Sequence, residues 1–150
     1  MHHRFNWKRV SAASAICYRW DGRRARLYFQ TQPGAYNDAT LVEFLKELRR
    51  HFRGDKVVLL WDGLPSHRSR AMQAHVLEQR SWLTVERLPA YAPDLNPVEG
   101  LWGNLKGRHL ANRGDDTIEA TVAAASAGVQ RVSRDQRLLF GFLAQTGLRI

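Results

Sequence analysis

The sequence predicts an α/β domain in which a mixed sheet carries helices on its faces. Three observations predict it. Asp21-Gly22 is a hairpin turn signal between two strand-like segments. Leu41, Phe44, Leu45 and Leu48 recur at i, i+3, i+4 and i+7, the apolar stripe of one helix face. Val57 to Trp61 is a short, wholly apolar run, the mark of a strand buried on both faces. A hairpin followed by alternating helices and strands builds a mixed sheet flanked by helices.

The elements follow in order. Lys8 to Tyr18 reads as a strand of mostly small residues, although alanine is a poor strand former. Ala25 to Gln32 alternates well enough to be the returning strand, and Pro33-Gly34 closes it. Asp38 or Thr40 is expected to cap the first helix, and Gly54 to end it. After the apolar strand, Ser69 to Arg80 is a second helix with Met72, His75, Val76 and Gln79 on one side. Leu83 to Leu88 is a further strand, and Pro89 to Pro97 is a loop stiffened by three prolines. Pro97 to about Ala111 is a helix with Val98, Leu101, Trp102 and Leu105 on one face. Thr117 to Arg131 and Arg137 to Gln145 complete the helices. No linker, repeat or low-complexity tract divides the chain, so residues 1–150 are expected to be one domain.

Composition narrows the function. The 23 Lys+Arg against 14 Asp+Glu give a net charge of +9 and a pI of about 10.6, which favours a polyanionic partner. Nearly all of these cations are arginines, so codon bias competes with nucleic-acid binding as the cause. Cys17 is the only cysteine, which excludes an internal disulfide and a cysteine-based zinc site. No apolar stretch approaches a membrane span, and no signal peptide is read. Ser66 lacks a G-x-S-x-G nucleophile elbow, and no phosphate-binding glycine loop is present.

Two carboxylates stand out. Asp62 follows the apolar strand directly, and ligands of open α/β sheets bind beyond the carboxyl ends of strands. Position alone favours the alternative, that it begins a turn with Gly63 as many aspartates do. Glu99 lies where a capping box would put it, with Asn96 at N-cap and Pro97 at N1. It also borders the apolar helix face, with Lys106 two turns further along the same side. Carboxylates from different elements suit Mg²⁺ or Mn²⁺, and two-ion phosphoryl transfer usually takes at least three of them. His67 could touch phosphate, or simply begin or pack a helix. Trp82, Tyr91 and Trp102 could stack on bases, with core packing as the competing role for each.

Taken together, WDGLPSHRS and LPAYAPDLNPVEGLWGNLK resemble the second half of a DDE transposase catalytic domain. The branch is the bacterial insertion-sequence six-thirty group of the mariner superfamily. The pattern is an apolar strand ending in Asp, then P-x-Y-x-P-x-L-N-P-x-E followed by Trp and Lys. Here it is carried by Asp62, Pro89, Tyr91, Pro93, Leu95, Asn96, Pro97, Glu99, Trp102 and Lys106. Thirty-six residues separate Asp62 from Glu99. Gly63 stands where relatives often have Asn. The resemblance runs from about Arg4 to Leu148.

The resemblance implies a ribonuclease-H-like mixed sheet with flanking helices. It makes Asp62 the second and Glu99 the third metal-binding catalytic carboxylate, holding two ions, Mg²⁺ or Mn²⁺. Those ions would activate water to nick DNA at a transposon end, and the freed 3′-hydroxyl would attack target DNA. Lys106 and Arg108, with His67, Arg68 and Arg70, would lie along DNA. Relatives carry a first catalytic Asp on a strand preceding the hairpin, and that strand is central in their sheet. The chain is therefore expected to lack the first, central strand and to be inactive alone. Its expected partners are DNA and an upstream-frame product or another transposase subunit, with no membrane, in the bacterial cytoplasm at the nucleoid. The alternatives are a non-catalytic DNA-binding or inhibitory protein, or a degenerate reading frame. A ribonuclease-H-like RNA nuclease would need further carboxylates.

Overall fold

A computed structural model describes residues 10–62, 68–90, 92–108 and 117–150. The chain divides into two compact units, residues 1–35 with 97–150, and residues 36–96. The α/β class holds, with the strands shared between two two-stranded sheets, one antiparallel and one parallel.

The first unit is built on a hairpin. β1 (Val10–Tyr18) pairs antiparallel with β2 (Ala25–Pro33), with Ile16 opposite Leu27 and Tyr18 opposite Ala25. Gly22 sits in the connecting turn at φ +71°, a conformation glycine adopts without steric cost. Three helices complete the unit: α3 (Pro97–Arg108), α4 (Ile118–Ser133) and α5 (Gln136–Gln145). Each helix in turn is started by sequence chemistry where a cap is seen. The Thr117 hydroxyl accepts from Ala120 N–H, and the Asp135 carboxylate from Leu138 N–H.

The core of this unit is Ala25, Leu101, Leu105, Val129, Val132, Leu139 and Phe142. Ile16, Tyr18, Leu27 and Phe29, alternate residues on one face of the hairpin, pack against it. Two polar ties fix the hairpin to α5. The Tyr18 hydroxyl donates to Leu139 O at 2.6 Å. The Gln136 amide accepts from Ala25 N–H at 2.8 Å and donates to Ala25 O at 2.9 Å, so a side chain stands in for a strand neighbour. Burial raises the Tyr18 phenol pKa above its ordinary value.

Cys17 lies on the opposite face of β1. Burial pushes its thiol up from the ordinary 9.0 to about 12, opposed by Arg26. The thiolate is the reactive form, so burial leaves far less of it at pH 8. Alkylation of the folded protein by iodoacetamide at pH 8 is therefore expected to be far slower than that of the urea-unfolded chain. The thiol's contribution to stability is complete below about pH 9 and is lost as pH rises toward 12, because the unfolded chain releases this proton first.

α3 approaches α5 at Gly100. A Cβ built there would lie 2.6 Å from Phe142 Cδ1 and 2.9 Å from its Cγ, and Phe142 is buried. Gly100→Ala is expected to cost about 1–3 kcal/mol through overpacking. Gly103 lies on the same helix with nothing near its missing Cβ, so Gly103→Ala is expected to stabilise by about 0.5–1 kcal/mol. Thermal melts of the two variants, shifted in opposite directions, check both.

The second unit holds α1 (Asp38–His51), β3 (Val57–Trp61), α2 (Arg70–Glu78), β4 (Leu83–Arg87) and a 3₁₀ turn at Pro93–Leu95. Leu41, Phe44, Leu45 and Leu48 are the buried face of α1, as their spacing requires. The cap is neither Asp38 nor Thr40. Asn37, in extended backbone, accepts from Thr40 N–H at 3.0 Å, and its own N–H donates to the Thr40 hydroxyl at 2.8 Å. Thr40 is thus the third helical residue of a reciprocal capping box, a position its hydroxyl fills as well as a carboxylate would. Gly54 follows the helix at φ +91°.

β3 and β4 are parallel, with Val57 opposite Leu83 and Trp61 opposite Arg87. Leu88 N–H donates to Trp61 O at 2.9 Å just beyond the registered pairs. β3 is not covered on both faces, contrary to the expectation from its apolar run. Val58 is 65% exposed and Leu60 48%, while Val57, Leu59 and Trp61 are half-buried. An apolar run records a strand's capacity to be covered twice, and the covering needs an element over each face.

Candidate functional site

Asp62 is the first residue past β3 and is exposed. Strand pairing continues to the Leu88-to-Trp61 hydrogen bond, so Asp62 stands at the carboxyl end of the parallel pair. That is the end at which α/β sheets place ligands. The turn reading for Asp62 involves Gly63, which, like Ser66 and His67, lies outside the described residues.

Arg68 and Arg70 bracket Ser69, whose hydroxyl accepts from Met72 N–H and caps α2. Both arginines are exposed. A helix N-terminus carries partial positive charge, so two cations there do not serve the helix. With the free N–H groups of the first turn, they suit an anion instead.

Glu99 is the third residue of α3 and is exposed. An acidic side chain in a helix's first turn is favoured by the dipole, so a helix-start role accounts for its position. Lys106 and Arg108 are exposed in the last turn of α3, where cations complement the dipole. Lys106 also borders a groove of about 400 Å³ whose lining includes Val10, Phe29, Trp102 and Ile118. Leu101 and Leu105, both fully buried, anchor α3 and so fix the faces on which these residues stand.

Of the aromatic candidates, Trp82 is a core residue. It is buried, its Nε1–H donates to the Gln79 side chain at 2.8 Å, and the Arg49 guanidinium stacks 4.9 Å from its ring centre. Trp102 is half-buried against the hairpin, 6.1 Å from the Phe29 ring. Tyr91 lies outside the described residues.

Asp62, Arg68 and Arg70 therefore belong to the unit of residues 36–96, and Glu99, Lys106 and Arg108 to the other. The two carboxylates offer hard oxygen donors of the kind Mg²⁺ and Mn²⁺ take. Among the described residues no group of three or more His, Cys, Asp or Glu could hold a metal ion. The donor type fits such an ion.

Mixed strands with helices after them, and a carboxylate past a parallel strand, define an α/β scaffold able to present acidic side chains to a hard metal and a phosphate. The chain matches the family model of the DDE superfamily endonucleases over residues 2–121, and it belongs to that family. Solved structures of Mos1 transposase share the fold. The paired-end complex with the left transposon end has a TM-score of 0.65 at 18% identity, covering 91% of this chain and 51% of that one. The Mos1 mariner paired end complex with Mn gives 0.63 at 22% identity, covering 91% and 52%. The Mos1 catalytic domain with Raltegravir and Mn gives 0.50 at 21% identity, covering 94% and 84%. The chain thus spans about half the length of the Mos1 chains in the paired-end complexes. The architecture is the ribonuclease-H-like α/β fold of these proteins. No curated protein matches the sequence.

Proposed function

We propose that the chain is a part of a DDE transposase of the insertion-sequence six-thirty group, acting in metal-dependent DNA strand cleavage and strand transfer. The observation that carries the reading is the family match over residues 2–121, with Asp62 directly past β3 and Glu99 in the first turn of α3. Asp62 and Glu99 act as metal-binding carboxylates. Lys106 and Arg108, and on the other unit Arg68 and Arg70 with His67, neutralise DNA phosphates. Mg²⁺ or Mn²⁺, when bound, would supply charge for the attacking and leaving oxygens of an in-line displacement. The Mos1 structures that contain Mn agree with that choice of ion.

Two carboxylates are too few for a two-ion site. The third comes, on this reading, from an upstream-frame polypeptide or another transposase subunit, and the chain alone is inactive. Supercoiled plasmid nicking in Mg²⁺ or Mn²⁺ tests this. The chain alone is expected to leave the plasmid intact, and an upstream polypeptide bearing an Asp-terminated strand is expected to restore nicking. Robust nicking by the chain alone, abolished by Asp62→Ala, would overturn inactivity; absence of nicking with every supplement would overturn the transposase reading.

A second reading, a non-catalytic DNA-binding or inhibitory protein, draws on the basic surface implied by the net charge of +9. It predicts DNA binding that is indifferent to sequence and falls steeply with salt. Absence of binding at low salt would eliminate it.

A further inference from the structure

The turn between β1 and β2 displays a tryptophan that the fold does not use. Arg19 N–H donates to Arg24 O at 2.8 Å and Gly22 N–H to Arg19 O at 2.9 Å, so the loop is short and closed. Trp20 occupies its tip and is 82% exposed, more than any other exposed large hydrophobic side chain among the described residues. Its loop companions are Arg19, Asp21, Gly22, Arg23 and Arg24, with no apolar neighbour. Asp21 sits beneath the tip with its side chain 15% exposed. It accepts from Arg23 N–H at 3.1 Å and meets Arg19 Nε at 3.0 Å and Arg23 Nε at 4.0 Å. The side chains of Arg19 and Arg23 remain 62% and 83% exposed. One buried-side carboxylate thus orders two of three arginines around a bare indole.

An indole held in water contributes nothing to folding and forgoes the gain of burial. Hairpin turns need Gly, Asp or Asn at their tips and have no use for tryptophan. An aromatic face surrounded by arginines is the composition of a platform that stacks a base while cations hold the adjoining phosphates. Membrane insertion is less well served, because it scales with contiguous apolar area, and this tip has one apolar side chain. Bases inside a duplex already stack on each other, so the free ring selects an unpaired nucleotide.

We propose that the β1–β2 hairpin tip is a single-stranded DNA contact in which Trp20 stacks on an unpaired base and Arg19, Arg23 and Arg24 hold the flanking phosphates. The inference deepens the proposed function, since cleavage of the two strands at staggered positions would leave unpaired ends, and it uses none of the residues assigned to the metal.

Fluorescence anisotropy of a labelled 12-nucleotide single strand, titrated with the full chain in EDTA, tests it. Trp20→Ala is expected to weaken binding by about 5- to 150-fold, the range for one stacked base, with an unchanged melting temperature. Trp20→Phe is expected to regain most of that loss. The double variant Arg23→Gln/Arg24→Gln is expected to make the log–log salt slope shallower by about 1.4, two phosphate contacts at about 0.7 each. Wild-type affinity in Trp20→Ala would overturn the proposal. So would loss of binding to phosphatidylglycerol vesicles with oligonucleotide binding intact. The metal-free readout separates this from the cleavage reading. Tryptophan-dependent binding without cleavage under any supplement sustains the hairpin contact and sinks the transposase reading. Cleavage abolished by Asp62→Ala but indifferent to Trp20→Ala, in binding as in rate, sinks the hairpin contact alone.

Discussion

Asp62→Ala is expected to abolish metal-dependent DNA cleavage by the complemented chain while leaving DNA affinity within about two-fold. The carboxylate stands at the carboxyl end of β3 and is exposed. Surface substitutions of that kind change stability by about 0.5 kcal/mol or less. A metal ligand instead supports several kcal/mol of transition-state charge stabilisation. At 1.36 kcal/mol per decade, the loss of about 4 kcal/mol is roughly 10³ in rate. Glu99→Gln is expected to cost a similar factor. It keeps the size of the side chain and its ability to accept a hydrogen bond at the start of α3, so a pure capping role would leave cleavage almost unchanged. Single-turnover nicking across a Mn²⁺ titration checks both. Cleavage by Asp62→Ala at the wild-type rate would remove Asp62 from the site, whatever the family match.

The legibility of the chain differs from element to element for physical reasons. The buried face of α1 follows from a 3.6-residue period that four leucine and phenylalanine positions state unambiguously. Its start is ambiguous because Asn37, Asp38 and Thr40 can all cap, and only the backbone conformation at Asn37 selects among them. The apolar run of β3 predicts a strand correctly and its burial incorrectly, since composition cannot say whether a second layer lies over Val58 and Leu60. The positions of Asp62 and Glu99 at the end of a strand and the start of a helix were legible from local pattern. What brings acidic groups together into a three-donor cluster is tertiary, and no period in the sequence encodes it. Trp20 is not legible as a surface residue, because tryptophan is ordinarily read as core and only its exposure distinguishes it from Trp82.

Leu101→Ala is expected to be among the most damaging single truncations to the fold. Leu101 is fully buried in the cluster with Leu105, Val132, Leu139 and Phe142, and it lies on α3 next to Gly100, where α3 and α5 are already in close approach. A cavity there cannot close easily, because inward movement of α3 is blocked by the Phe142 ring against Gly100. Leucine-to-alanine changes at such sites cost about 2–5 kcal/mol, with the upper range where collapse is prevented. For a chain of this size that is a fall in melting temperature of roughly 4–20 °C. Leu60→Ala removes the same atoms from a half-exposed position and is expected to shift the melt far less. The pair isolates burial from composition. It also bears on the site, because Glu99 lies two residues before Leu101 on the same helix. If Leu101 acts only through the fold, cleavage by Leu101→Ala recovers well below its melting temperature, whereas cleavage by Glu99→Gln stays low at every temperature. Equal loss in both at low temperature would mean that the packing of α3 sets the position of Glu99 as well as the stability of the unit.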